Sequence, residues 1–281
     1  MNPRALLALI VALVACLTGC FSPNAAQEAA AAARRSRLQT AEAMFQERCK
    51  KAGVTIHRTA ENVEGVFLMK LRSGKINFGE QFLLDDPYGR DLGGDGYIVS
   101  FLRGSFQANT SGTPPLGFPP RVGYLYVEAI DPKDGKRYRY TGSVKAVGRK
   151  DVTAENVRRE LAANPAYDLN IYAYVLDKVL APGPAPRYGV TYDDLSTREE
   201  REYWIAGSSL RVIDLKTNEV MAERIGYMMD RAQGSGAGGR SPWLFAADHA
   251  CPSFGTQHGS GRQPRQAQDF AEKVLKPKLE N

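Results

Sequence analysis

Cysteine and histidine side chains are the residues of this 281-residue chain that most directly suggest chemistry. Cys49 and Cys251 lie far apart in the sequence, and His249 precedes Cys251 by two residues. Together with His57, they offer the thiolate and imidazole ligands that zinc prefers. In an oxidising compartment the same two sulfurs would instead form a disulfide. We therefore expect a Cys49 to Cys251 disulfide and no bound metal or cofactor, with a zinc site as the alternative.

A second group of candidate residues is acidic. The segment 85–96 carries four aspartates, Asp85, Asp86, Asp91 and Asp95. Several carboxylates on one flexible loop could surround a calcium ion. Their spacing is not that of an EF-hand loop, however, and Arg90 lies among them. The pattern favours aspartates that close turns, and it leaves the binding of a cation open.

Motifs of nucleotide binding and of serine catalysis are weak in this chain. The glycine-rich segment 234–239 matches G-x-G-x-x-G, but Ser241-Pro242 after it does not begin a long helix, as a dinucleotide fold requires. The sequence contains no G-x-S-x-G motif of the kind that presents a nucleophilic serine. We therefore predict a protein that is not an enzyme, and an unrecognised hydrolase or metal-binding protein is the least favoured alternative.

Three residues after the glycine-rich segment are of the types that anchor protein interfaces. These are Arg240, Trp243 and Phe245, within six residues of one another. The competing interpretation is that Trp243 and Phe245 fill the core beneath a long loop. Arg240, Trp243 and Phe245 are therefore the candidate interface. For Trp243 and Phe245 we favour the interpretation that they belong to the core.

The N-terminus carries a targeting signal. One positive charge, Arg4, precedes an apolar run from Ala5 to Leu17, which is too short to span a membrane but suits the hydrophobic region of a signal peptide. The run ends in Leu17-Thr18-Gly19-Cys20, which resembles the lipobox of bacterial lipoproteins. The resemblance implies cleavage before Cys20 and acylation of Cys20, which would then bind the lipid bilayer.

The lipobox sets the expected domain organisation. We expect a signal peptide over residues 1–19, a lipidated tether over residues 20–37 and a single periplasmic domain over residues 38–281. Phe21 follows the cysteine in place of the aspartate that favours retention at the inner membrane of enterobacteria. The resemblance therefore implies the periplasmic face of the outer membrane, with the inner membrane as the alternative.

Composition indicates a globular chain with a core. Hydrophobic residues make up 43% of the sequence and charged residues 24%, and the formal net charge is +6. The positive charge is spread along the chain, without a block of five or six like charges. A solvated surface explains this distribution better than binding of nucleic acid, which we do not expect.

The hydrophobic pattern predicts an α+β fold with a mainly antiparallel β body and helices at both ends. Helices are predicted over residues 27–52, 153–163 and 264–276, and an irregular stretch is predicted over residues 230–263. Strands are predicted over 54–57, 65–71, 97–102 and 171–180, and as two hairpins, 122–129 with 136–147 and 203–213 with 220–229. Each hairpin has an Asp at its turn, Asp131 or Asp214, followed three or four residues later by a Gly or Asn.

Most of the body also resembles a group of proteobacterial lipoproteins that are encoded beside type VI secretion effectors. The resemblance rests on four segments, 49–53, 62–66, 204–207 and 241–245. These lipoproteins are thought to include periplasmic immunity proteins against phospholipase effectors. The resemblance implies a protein that binds an incoming toxin at the membrane surface and blocks it. The alternative is a structural lipoprotein that assembles with a component of the cell envelope.

Overall fold

The computed structural model describes residues 23–75, 77–83, 85–105, 122–255 and 263–279. Within these ranges the chain forms six α-helices and eleven β-strands. The helices are α1 (Pro23–Cys49), α2 (Asp95–Phe101), α3 (Glu155–Ala163), α4 (Arg198–Glu202), α5 (Pro242–Ala246) and α6 (Gln266–Val274). The strands are β1 (Gly53–Ile56), β2 (Ala60–Val63), β3 (Gly65–Leu68), β4 (Tyr126–Ile130), β5 (Arg137–Arg149), β6 (Asn170–Leu180), β7 (Tyr188–Asp194), β8 (Ile205–Asp214), β9 (Glu219–Met229), β10 (Ala250–Cys251) and β11 (Leu275–Pro277).

Nine of the strands form one sheet. Its order is β1-β9-β8-β7-β3-β4-β5-β6, and β10 pairs with β9 beyond the end of β1. The central strand β3 runs parallel to both of its neighbours, and the other pairings in this sheet are antiparallel. Strands β2 and β11 form a separate parallel pair. The predicted α+β class, with a mainly antiparallel body and N-terminal, internal and C-terminal helices, is therefore confirmed.

The two predicted hairpin turns are present. At the end of β4 the Asp131 carboxylate accepts the Lys133 N–H at 2.8 Å, and Gly135 adopts a φ of 70°. At the end of β8 the Asp214 carboxylate accepts the Lys216 N–H at 3.1 Å, and Asn218 adopts a φ of 61°. In each turn an aspartate replaces a backbone acceptor and a residue that tolerates positive φ completes the reversal.

The prediction of a strand over residues 97–102 is wrong, because most of this segment belongs to helix α2. Its aromatic and β-branched composition favours a strand, but the residues Tyr97, Ile98 and Phe101 are buried, at a spacing that suits one face of a helix. The rings of Tyr97 and Phe101 meet edge to face, with 5.4 Å between their centroids. Packing of this one face outweighs the local strand propensity.

The prediction of an irregular stretch over residues 230–263 is wrong in part. Helix α5 lies within it, with Pro242 in the first turn and Trp243 and Ala246 buried. Proline is well suited to this place, because its fixed φ matches the helix and its missing N–H would have no helical partner there. A 3₁₀ turn, Ala237–Gly239, and strand β10 also lie in this stretch, while residues 256–262 lie outside the described ranges.

The predicted helices are present with shifted bounds. Helix α1 begins four residues earlier than expected, so the described part of the expected tether is helical. Thr153 does not cap α3, because its hydroxyl donates to Asp151 at 2.7 Å and Ala154 occupies the N-cap position. Helix α6 ends at Val274, where the chain continues directly into β11.

Helix α1 packs on one end of the sheet. Ala41 and Phe45 are buried against a cluster that includes Ile205 of β8 and Tyr227 and Met229 of β9. The rest of α1 before Leu38 is largely exposed. The part of the helix from Arg37 onward therefore fixes it to the body.

The chain between β3 and α2 crosses the sheet without forming a helix or strand in its described residues. Its backbone carbonyl groups are bound by side chains from the C-terminal third of the chain. The Trp243 Nε1–H donates to Glu80 O at 2.9 Å, and the Gln263 amide donates to Pro87 O at 2.8 Å. These bonds satisfy polar backbone groups that would otherwise be costly to bury.

The predicted disulfide is present in the structure. It joins Cys49, the last residue of α1, to Cys251 in β10, and the Cα atoms lie 5.6 Å apart. The two residues are 202 positions apart in the sequence. The bond therefore ties the N-terminal helix to the edge of the sheet that β1 and β10 share.

We predict that loss of this disulfide strongly destabilises the fold. Closing a loop of this length is worth on the order of 5 kcal/mol in the chain-entropy account, an upper figure because denatured chains keep some structure. Cys49→Ser and Cys251→Ser should each lower the melting temperature by a similar amount in a thermal scan. The double variant should melt close to either single variant, and two reactive thiols in the unfolded, unreduced wild type would contradict the bond.

Candidate functional site

The predicted lipidation site lies outside the described residues. Cys20 and the rest of residues 1–22 precede α1, which begins at Pro23. Of the helices that are described, none combines the length and apolar character that crossing a bilayer requires. Anchoring through Cys20 therefore stays a prediction.

Asp86 belongs to a buried charge network. Its carboxylate accepts a hydrogen bond from Arg72 at 3.2 Å, from the Ser208 hydroxyl at 2.7 Å and from the Gly89 N–H at 2.6 Å. The Asp86 and Arg72 side chains are both almost completely buried. Asp85 accepts the N–H of Asp86 at 2.8 Å. These aspartates form turns and tie the irregular chain to β8.

Asp91 holds the start of α6. Its carboxylate accepts the N–H groups of Leu92 and Ala267, both at 2.8 Å, and that of Arg265. Burial raises the pKa of Asp91. Asp95 lies in the first turn of α2, where a carboxylate interacts favourably with the helix dipole. Each of these contacts has a structural role.

The candidate metal sites do not form among the described residues. There, no three histidine, cysteine, aspartate or glutamate side chains come together as a metal would require. Asp86 and Asp91 bind arginine and backbone donors, respectively, and do not converge with Asp85 and Asp95 on a common centre. Of the four proposed zinc ligands, Cys49 and Cys251 are bonded to each other.

Arg72 borders a small cavity. Its guanidinium lies over the Tyr192 ring, 3.7 Å from the centroid, and its Nε–H has no hydrogen-bond partner among the described residues. The cavity has a volume of about 30 Å³ and is also lined by Asp86 and Arg90. A space of this size holds a water molecule, which would serve the free donor. The network is therefore suited to holding the fold and offers little room for a substrate.

We predict that the buried pair contributes far more to stability than a surface pair does. Asp86→Ala leaves the Arg72 charge buried without its partner, which should lower the free energy of unfolding by about 3–5 kcal/mol. The matched control is Asp177→Ala, which breaks a pair with Lys145 that is about half exposed on both sides and should cost less than about 1 kcal/mol. Urea denaturation measures both values, and equal losses would contradict the assignment.

The three residues of the candidate interface divide between core and surface. Trp243 is only 2% exposed and packs on Trp204, with 5.0 Å between the ring centroids. Arg240 donates to both carboxylate oxygens of the buried Asp230, at 3.0 and 2.6 Å. Phe245 is 44% exposed. Trp243 is therefore part of the core and cannot contact a partner directly, and Phe245 is the member that stays accessible.

A larger exposed surface lies at the other end of the sheet. Strands β5 and β6 pair over eleven positions, and the register places Val144 opposite Tyr174 and Ala146 opposite Tyr172. Residues 143–149 of β5 are exposed at every position, whichever face of the strand they occupy. The outer half of β5 therefore lies in solvent, whereas residues 172–175 of β6, which pair with it, are half-buried.

One face of the hairpin continues the apolar surface of the core. On this face Tyr140 is buried, and Tyr174 and Leu176 pack against the core. Val144 lies on the same face, opposite Tyr174, and is 39% exposed. Beyond the register shift of the hairpin, Val147 is 54% exposed. An apolar strip of this kind is typical of surfaces that bind another molecule.

Strand β6 also leaves one edge open. It is the last strand of the sheet, and its second edge has no strand partner in the part of the chain that is described. Exposed strand edges present backbone donors and acceptors to which an extended segment can add. We define the outer hairpin surface as the exposed side chains Val144, Val147 and Ile171, which lie on both faces of the hairpin, together with the edge of β6 that has no described strand partner.

Sequence reasoning placed these two strands but did not reveal the exposure of β5. The apolar residues Ile171, Tyr172, Tyr174, Val175 and Leu176 lie on both faces of β6. Such a run is usual for a strand covered on both faces, and all of them except Ile171 are half-buried. The signal for exposure is the length of the hairpin, since its 13-residue first strand is longer than the core to which it is attached requires.

Comparisons with protein-family models, with curated protein sequences and with solved structures found no match to this chain.

Proposed function

We propose that this chain is a lipid-anchored periplasmic lipoprotein that acts by binding another protein through the outer hairpin surface. The observation that carries the proposal is the β5–β6 hairpin, which holds apolar side chains in solvent and has an edge with no strand partner among the described residues. A monomer gains nothing in stability from this exposure, because burying the same side chains would be favourable. Contact with a partner would provide that burial.

Two features support the cellular location. The lipobox Leu17-Thr18-Gly19-Cys20 implies a chain that is exported and acylated. The Cys49 to Cys251 disulfide agrees with an oxidising compartment, because such bonds rarely persist in the cytoplasm. Phe21 after the lipidated cysteine favours the periplasmic face of the outer membrane.

The partner proposed first is a secreted toxin. The resemblance to lipoproteins beside type VI secretion effectors favours immunity against a lipase effector, which the tethered body would bind and block. A partner from the cell envelope is the second candidate, because the same hairpin would serve assembly equally well. The protection experiment below distinguishes these two partners.

We predict that anchoring depends on Cys20. With Cys20→Ala, the chain should lose its acyl anchor and move to the soluble periplasmic fraction, as measured by fractionation and immunoblotting. A matched chain in which residues 1–20 are replaced by a cleavable secretory signal should behave in the same way. Retention of both variants in the membrane fraction would contradict the lipobox assignment.

We predict that charges on the outer hairpin surface abolish partner binding. Val144→Glu with Val147→Glu places two carboxylates on the exposed strip, where a partner would have to desolvate them. Affinity for the protein encoded beside this chain should fall by at least about a hundredfold, which corresponds to about 1.4 kcal/mol for each tenfold step. Titration calorimetry of the purified pair measures the change.

The matched control is Val54→Glu with Ile56→Glu on β1. These residues are 53% and 42% exposed and lie on the opposite edge strand of the same sheet. They should leave affinity within about twofold, and both double variants should keep the wild-type melting temperature, since the four side chains are exposed. Equal weakening by both pairs would contradict a role specific to the hairpin. If the partner is the toxin, cells with the hairpin variant should also lose protection.

A further inference from the structure

An arginine-rich groove lies between α1 and the turn that follows β9. Its volume is about 470 Å³, within the usual range of small-molecule sites. Four arginines line it, Arg34, Arg35 and Arg37 from α1 and Arg231 from the turn, and Leu38 adds an apolar wall. The lining residues include no aspartate or glutamate. We call this site the arginine groove.

Two of the four guanidinium groups have partners within the protein. Arg37 donates to the backbone carbonyl of Glu202 and lies over the Tyr203 ring, 5.0 Å from the centroid. Arg231 pairs with Glu42 at 3.6 Å, and both side chains are substantially exposed. These contacts orient Arg37 and Arg231 at the groove. Only the charge of Arg231 is neutralised by a carboxylate, because Arg37 binds a backbone carbonyl and an aromatic ring.

Arg34 and Arg35 have no hydrogen bond or ion pair with any described residue. Both are exposed, and they follow each other on α1, so the groove gathers like charges without internal compensation. Guanidinium groups bind phosphate oxygens well, because their planar N–H donors match the geometry of the anion. The uncompensated charge therefore indicates an anionic ligand.

The opposite wall includes Gln233. Its side-chain amide donates to Tyr203 O at 2.8 Å and to Asp230 O at 3.1 Å, which fixes the orientation of the amide. Its Oε1 is buried and has no donor among the described residues, so it is not accessible to a ligand in the groove. Gln233 therefore holds this wall in place, and the arginines are the groups that can bind an anion.

The position of the groove selects the source of that ligand. Helix α1 begins three residues after Cys20, and Arg34 lies eleven residues along it, a rise of about 16 Å. If Cys20 is acylated, the groove lies near the lipid headgroups, and anionic lipids there attract arginine side chains. We propose that the arginine groove binds the phosphate group of an anionic glycerophospholipid headgroup. This goes beyond the protein-binding function, and the choice of a lipid rests on the proposed acylation of Cys20.

The experiment uses the chain from residue 21 onward, since every contact described above lies within residues 23–279. Without its acyl group, this chain should sediment with vesicles of phosphatidylcholine and phosphatidylglycerol in equal amounts, and not with vesicles of phosphatidylcholine alone. Arg34→Gln with Arg35→Gln should weaken binding by about tenfold or more, in line with the usual contribution of each basic residue near an anionic surface.

The matched control is Arg158→Gln with Arg159→Gln on α3. These two arginines are also adjacent, exposed and on a helix, and the chain places them at the far end of the β5–β6 hairpin. The control removes the same net charge and should leave vesicle binding within about twofold. Equal loss in both double variants, or no binding to the anionic vesicles, would overturn the proposal. Competition by free glycerol phosphate that fully displaces the vesicles would assign the groove to a soluble phosphate ester and overturn the lipid source.

Melting temperatures of all variants show whether the fold is kept.

Discussion

The chain between β3 and α2 imposes the constraint on which the rest of the packing depends. It covers the sheet without strand structure in its described residues, so its buried carbonyl groups need donors from elsewhere. Trp243, Gln263 and Gln266 supply them from the C-terminal third of the chain. Tyr88 of the same segment lies on Gly226 of β9, where a β-carbon would come within 2.0 Å of the ring. The packing of the chain between β3 and α2 therefore requires a glycine at position 226 of β9.

The parts of the fold that could be predicted depend on residues close in sequence. The turns at Asp131 and Asp214 close within six residues, so local chemistry determines them. The bond between Cys49 and Cys251 followed because only two cysteines remain in the body. By contrast, the Gln263 amide donates to Pro87 O, and the two residues are 176 positions apart in the sequence. Hydrophobic periodicity cannot predict a contact of this kind. The strand prediction over 97–102 was wrong because helix α2 has only seven residues. So short a segment gives too little helical periodicity to outweigh its strand-like composition.

Candidate surfaces were harder to predict, because residue type does not determine which side faces outward. Trp243 and Phe245 stand two positions apart in α5, which places them on opposite sides of a helix. One is therefore buried and the other exposed, although both are large aromatic residues. The hairpin presents the same difficulty, because the run from Ile171 to Leu176 suits a strand covered on two faces. The exposure of residues 143–149 of β5 follows from the extent of the core, which on this strand ends near Tyr140, and not from the sequence of the strand.

The strand order limits when the sheet can close. Strand β1 pairs with residues 222–225 of β9, and β3 pairs with β7 after more than a hundred intervening residues, whereas β4 to β6 and β8 to β9 form local hairpins. Distant pairings of this kind slow folding, because each must close a long loop before it gains contacts. Strands β1 and β2 have no partners until the last third of the polypeptide has been synthesised, whereas β3 can pair with β4 earlier. The edge of the sheet that β1 forms is therefore completed after its centre.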